Sequence, residues 1–164
     1  MTVAVDWSQW HLETLNALEQ AVINSSVSWG TKPDGEAWVV VGDSTPSGIV
    51  YPAAFIPEFT SDRDPGESDK GTELREISAT VWVIVERDVK QQEANLKDAV
   101  ETGGEVLNGI YDDRTLSDTC DNLNGDSMEA GAAVVDGENV AVVDLSLTIT
   151  KQATIYEQNL RGTS

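Results

Sequence analysis

The spacing of apolar and polar positions changes several times along the chain, and each change marks an element. From residue 6 to about residue 25, Trp7, Trp10, Leu15, Leu18, Val22 and Ile23 recur at helical spacing, Leu12 and Ala21 widen the stripe, and Asp6 is placed to cap it. His11 falls at the margin of that stripe. Residues 29–35 are turn chemistry, 36–42 form a short apolar run bounded by glycines that predicts a buried strand, and 43–48 form a second loop. Residues 49–59 look extended, but Pro52 and Pro57 each lack a ladder donor, which predicts an edge or irregular strand. Residues 60–72 are the polar low point, predicted to project either as a solvated hairpin loop or as an arm that orders against a neighbouring subunit.

The clearest strand covers residues 73–87. Ile77, Ala79, Val81, Val83 and Val85 share one side, predicted to face the core. The other side is polar at Glu76, Ser78 and Thr80 and turns apolar at Trp82 and Ile84. That end needs cover on both sides: the second helix supplies one, and either the first helix or another subunit supplies the other. The second helix is predicted over 89–112, with Leu96, Val100, Leu107 and Ile110 or Tyr111 on one face. Gly103 and Gly104 cost it about 1 kcal/mol each against alanine, a pairing that suits either close contact with the sheet or a bend.

Residues 121–126 suggest a turn, 128–135 a strand, and Asp136-Gly137 a tight hairpin. In the last strand Val143, Leu145, Leu147 and Ile149 face one way while Asp144, Ser146, Thr148 and Thr150 face the other, the pattern of a half-buried antiparallel strand. The sum is an α+β fold: one antiparallel (mixed) sheet packed with two helices, forming a single domain over 1–152 with a projecting loop at 60–72. A C-terminal tail, 153–164, holds Ile155, Tyr156 and Leu160 in a polar setting and is either disordered or docked on a partner.

Charge changes this picture. The 164 residues carry 29 Asp and Glu against 10 Lys and Arg, a net charge of −19. Such a chain repels itself in ordinary buffer. In molar salt the screening length falls to about 3 Å and the repulsion largely vanishes, so the composition points to a halophilic host. Nucleic acid is disfavoured as an attracted ligand, because no window clusters Lys and Arg. No apolar run approaches the ~20 residues of a membrane span, and the first six residues have no basic or long apolar stretch, so neither membrane nor signal peptide is expected.

Candidate chemistry is sparse. One histidine, His11, and one cysteine, Cys120, cannot make a structural zinc site, and Cys120 reads as a small apolar residue. Residues 121–125 superficially resemble a calcium loop, but the register is wrong and Ala132 stands where the bidentate glutamate belongs. Asp62, Asp64 and Asp69 read as solvated carboxylates. The chain has no nucleophile elbow, Walker A loop or GxGxxG. The five tryptophans lie on apolar runs, which favours core or interface packing over a ligand cage. No catalytic residue, metal or cofactor is expected.

The element order resembles the tail terminator (tail completion) proteins of long-tailed viruses. The resemblance runs from Asp6 to about Gln152: an opening helix with aromatic and leucine positions; strands joined by a long loop; a strand ending in Glu86-Arg87-Asp88; a helix containing Leu96-Lys-Asp-Ala-Val100; then Leu107-Asn-Gly-Ile-Tyr-Asp-Asp-Arg-Thr-Leu116 and a later strand into Leu145-Ser-Leu-Thr-Ile149. It implies a virion protein, made in the cytoplasm of a haloarchaeal host, whose hexameric ring caps the tail tube and meets the neck or head connector. DNA would only pass through its lumen. Expected interface residues are Trp82, Ile84, Tyr51, Phe55 and Phe59, together with Asp62, Arg63, Asp64, Asp69 and Lys70 of the arm. Asp144, Ser146 and Thr148 are expected to face the lumen. The competing expectations are another head–tail connector, such as a head-closure or adaptor protein, and a halophilic small-ligand-binding or enzymatic domain.

Overall fold

The strand read from residues 73–87 is the axis of the fold. The computed structural model describes residues 6–42, 48–63, 72–86, 92–135 and 137–154. It contains α1 (Trp7–Ile23), β1 (Val39–Val41), β2 (Ala53–Arg63), β3 (Thr72–Glu86), α2 (Gln92–Asp112), β4 (Asn122–Val135) and β5 (Glu138–Thr154). The five strands form one mixed sheet in the order β1-β2-β3-β5-β4. β1 runs parallel to β2, and every other neighbouring pair is antiparallel. With the two helices this is an α+β arrangement.

Both helices lie on one side of the sheet. Ile77, Ala79, Val81, Val83 and Val85 of β3 and Val143, Leu145, Leu147 and Ile149 of β5 are buried there against Trp10, Leu18 and Val22 of α1 and Ala99, Val106 and Ile110 of α2. The alternation therefore gave the core side correctly. The first helix does not cover Trp82 and Ile84, as one of the two expectations had it. A second apolar cluster on the other side does so, with Trp38, Ala53, Phe55, Ile84 and Val140 buried and Ile49, Tyr51 and Trp82 packed against them.

α1 begins where Asp6 accepts a hydrogen bond from the Gln9 backbone N–H at 3.1 Å. Trp7 and Trp10 meet edge to face at 5.1 Å, and Arg75 of β3 sits over the Trp7 ring. Leu12 is not part of the buried stripe. It lies about 200° around the helix from Trp10 and is exposed. His11 is half-buried, its Nδ1 bonded to the Trp7 carbonyl.

α2 docks on a different face from the one its large side chains predict. Ala99, Thr102, Gly103, Val106 and Ile110 are turned to the sheet, whereas Leu96, Val100 and Tyr111 are exposed. The reason is Gly103. A Cβ there would stand 2.6 Å from Val143 Cγ1, so the helix backbone sits directly on β5. The glycine pair serves close contact, and the small residues set the docked face. Leu107 and Tyr111 lie over Gly125 of β4, the Tyr111 hydroxyl accepting from the Gly125 N–H at 2.8 Å.

Three further expectations are corrected. Residues 121–126 are not a turn: β4 runs from Asn122, with one irregularity between Gly125 and Ser127. The 60–72 loop is shorter than read, because β2 continues through Arg63 and β3 starts at Thr72; residues 64–71 lie outside the described residues. The tail is also shorter, because β5 extends to Thr154, while 155–164 are outside the described residues. The tight hairpin holds: Val135 pairs with Glu138, and Gly137 has φ +77°.

The two glycines of α2 make opposite predictions. Gly103→Ala forces a methyl against the stiff Val143 side chain and should cost about 1–3 kcal/mol. Gly104→Ala points into open space and should gain up to about 1 kcal/mol. Denaturant unfolding in molar KCl separates them, and equal effects would contradict the docking geometry.

Candidate interaction surface

The side of the sheet without helices carries most of the residues singled out from the sequence. Register places Trp82 opposite Phe55 and Asp144, Ile84 opposite Ala53 and Val142, and Thr80 opposite Glu58 and Ser146. Side chains alternate across strands, so Phe55, Trp82, Ile84, Asp62, Asp144, Ser146 and Thr148 all project from this open side. The expected interface and lumen residues are thus two ends of one surface. One end is apolar; the other is made of hydroxyls and carboxylates.

Phe59 is the exception, and a bulge explains it. Phe55 pairs with Trp82, but Glu58 pairs with Thr80, so β2 holds one extra residue. Without it Phe55 and Phe59 would share a side. With it Phe59 lies opposite Ala79 and packs, half-buried, against the main core beneath the helices. Pro57 sits in this bulge, just past Ile56, the last residue that β1 pairs with. β2 can therefore lie inside the sheet and still contain proline: of the two expectations, an edge strand or an irregular one, the irregular strand is the one found.

The apolar end is partly closed by the chain itself. Phe55 and Ile84 are buried and form its floor, while Tyr51 and Trp82 are half-buried and form its accessible part. Beside it, Gly131 leaves a hollow of about 240 Å³ bordered by Glu129, Val142 and Asp144.

The polar end carries Glu58, Thr60 and Asp62 from β2, Glu76, Ser78 and Thr80 from β3, and Asp144, Ser146 and Thr148 from β5. Asp62 stands directly opposite Glu76. Among the described strand residues no lysine or arginine projects from this side. Thr80 donates to Glu58 at 3.4 Å, and Thr148 donates to Asp126. Arg63 closes β2, and Asp64, Asp69 and Lys70 lie outside the described residues.

The calcium-like segment is strand from Asn122 onward, and the carboxylates that flank this stretch, Asp121 and Asp126, are engaged. Asp121 accepts from the Gln152 backbone N–H at 2.7 Å, and Asp126 accepts from Thr148.

On the helix side, a cleft of about 330 Å³ lies between α1 and the turn after α2, lined by Asp6, Gln9, Trp10, Glu13, Ser117, Asp118, Thr119 and Lys151. That turn is unusual: Leu116, Ser117 and Asp118 all have positive φ, at 48°, 57° and 64°. Such backbone costs about 1–2 kcal/mol per residue. Its anchors are visible. Leu116 is fully buried, Asp113 accepts from the Ser117 N–H, and Trp10 Nε1 donates to the Thr119 carbonyl. Arg114 adds a bond from Nε to the Leu123 carbonyl at 2.9 Å. The strain serves to turn Leu116 into the core and to tie α1 to the start of β4.

Cys120 follows this turn. It is buried, its thiol faces the Arg114 carbonyl at 3.7 Å, and burial with the nearby Asp121 carboxylate pushes its pKa up to about 11. That is the opposite of a nucleophile's environment.

The sequence reading gave only residues 128–135 of the long outer strand β4 and did not place the apolar groups near it, Met128, Val134, Leu96 and Val100, on a shared exposed surface. A signal was present: residues 130–135 contain no charged residue in a chain that is 24% charged. No helix among the described residues is long and apolar enough to cross a membrane. A scan against protein-family models finds no match, and a search of characterised protein sequences finds no significant relative.

Cys120 gives a direct check of the turn. A soluble alkylating reagent at pH 8 should label it only after unfolding, followed by intact-mass spectrometry. Rapid labelling of the folded chain would mean that the turn and its buried thiol are misplaced. Leu116→Ala should destabilise the fold by about 2–5 kcal/mol and expose the same thiol.

Proposed function

We propose that this chain is a ring-forming structural protein of a tailed-virus particle, one that ends the tail tube and joins it to the neck. The observation that carries the reading is the one-sided architecture. Both helices cover one side of a five-stranded sheet, and the other side ends in an acidic and hydroxyl surface without described basic groups. In a ring with that side inward, the lumen is lined by Asp144, Ser146, Thr148 and their neighbours. Like charge would keep passing DNA from sticking.

The element order supports the same reading, because a helix, three strands, a helix and two strands is the order that resembles tail terminators. The charge supports a halophilic setting: at −19, copies gather only where salt screens them. A head-to-tail contact repeated by rotation closes into a ring, and an obligate ring of this kind buries about 2,000 Å² or more per interface. The sheet edges offer apolar groups for such contacts.

The test is assembly. Purified protein in molar KCl, viewed by negative-stain electron microscopy, should show rings with six-fold symmetry. A monodisperse monomer at high protein concentration in the same salt would overturn the proposal.

A further inference from the structure

The ring reading leaves open which surfaces join neighbouring copies. If the open side lines a lumen and the helices face outward, neighbours have only the two edges of the sheet through which to meet. Those edges are β1 and β4.

β4 is a conspicuous edge. It is 14 residues long, and among the described residues it pairs only with β5. Every second residue therefore presents an unpaired backbone N–H and C=O outward. Exposed edges of soluble proteins are ordinarily blunted by charge, proline or shortness. From Ala130 to Val135 β4 has none of these: the run is Ala-Gly-Ala-Ala-Val-Val. Met128 and Val134 are 40% and 68% exposed on the same strand. On α2, Leu96 and Val100 lie on the same helix face as Leu107, which reaches β4 at Gly125, and both are exposed. The apolar surface thus continues from the edge onto the helix layer.

The opposite edge is its complement. β1 is Val39-Val40-Val41, also uncharged, and Val41 is 42% exposed. Ala54 N–H donates to the Trp38 carbonyl and Gly42 N–H to the Ile56 carbonyl. Those bonds turn Trp38 and Gly42 toward β2 and leave the carbonyls of Val39 and Val41 pointing away from it. Direction fits as well. β1 runs with β2, β2 against β3, β3 against β5 and β5 against β4. β4 therefore runs opposite to β1, and copies related by rotation about an axis along the strands meet antiparallel. That relation also keeps the helices of every copy on the same side. Charge selects the same place. Copies of a −19 chain approach most easily where no carboxylate is brought against another, and both β1 and the 130–135 run of β4 are uncharged.

We infer that copies of this chain join edge to edge, the free edge of β4 in one copy pairing antiparallel with β1 of the next, so that one sheet runs on through the assembly. The inference rests on the ring reading and names its contact. The partner is a second copy, bound by backbone hydrogen bonds and flanking apolar side chains, in the manner of strand addition.

Site-directed cross-linking tests it. Ala132→Cys in β4 and Val41→Cys in β1 place exposed thiols on the two edges, while the native Cys120 is buried. Each variant is treated with a short flexible bis-maleimide in molar KCl, alone and as an equimolar mixture, with unsubstituted protein as the blank. Circular dichroism checks folding, and Ala130→Cys, exposed on β4, and Val40→Cys, half-buried in β1, replace a variant that does not fold. The expected result is cross-linked dimers containing one of each variant in the mixture, and ladders of higher species from the double variant. Rings in the microscope without mixed cross-links would overturn the edge pairing and leave the ring reading standing. Self-linking of Ala132→Cys alone would mean two-fold β4 pairing, which overturns both, since such a dimer does not close a ring. A wild-type chain that stays monomeric overturns both as well.

Discussion

An open sheet with helices on one side only has an unfinished backbone at both edges and an uncovered face, and the rest of this molecule is organised around that condition. The core beneath the helices is complete. Trp10, Leu18 and Val22 from α1 and Ala99, Val106 and Ile110 from α2 fill the space over the alternating residues of β3 and β5. Among the described residues the opposite side is finished only at one end, where Trp38, Ile49 and Tyr51 fold over Phe55 and Ile84. Beyond it, β2, β3 and β5 meet solvent with carboxylates and hydroxyls. An unpaired strand edge is costly to leave beside apolar side chains, so the uncharged run of β4 is the place where the single chain is least self-sufficient.

Small irregularities decide which groups reach which side. One extra residue in β2, at Ile56 and Pro57, sends Phe59 to the helix side and keeps Phe55 on the open side. One missing side chain in α2, at Gly103, lets the helix rest on Val143 and rolls its larger residues outward toward β4. Three left-handed residues after α2 turn Leu116 into the core. Each displaces or redirects apolar surface, and together they leave it concentrated at the apolar end of the open side and along β4.

These irregularities also explain how much was legible in the sequence. α1 and its Asp6 cap, the core side of β3, the alternation of β5 and the Asp136-Gly137 hairpin all followed from period and turn chemistry, because one local rule governs each. The face of α2 did not. Leu96, Val100, Leu107 and Tyr111 form a proper helical stripe, but docking was set by the smallest residue and not by the largest. β4 was half-read, since Asn, Gly and Asp at 122–126 suggest a turn unless a neighbouring strand pairs with them. The shared surface of Trp82 and Asp144 was readable from parity, whereas the loss of Phe59 from it required knowing the bulge. The free edge of β4 was beyond the sequence altogether, because strand order is a property of the whole sheet.

Acid excess ties architecture to environment. Carboxylates cover the open side and are absent from β1 and from residues 130–135 of β4, so salt should control whether copies meet at all. Hydrogen–deuterium exchange on the protein in molar KCl, repeated after dilution into low salt, tests this most directly. The account predicts slow exchange at the amides of residues 130–135 in the assembled state and fast exchange once salt is removed, while the β3 and β5 amides stay protected in both. Equal exchange at 130–135 before and after dissociation of an oligomer would contradict it.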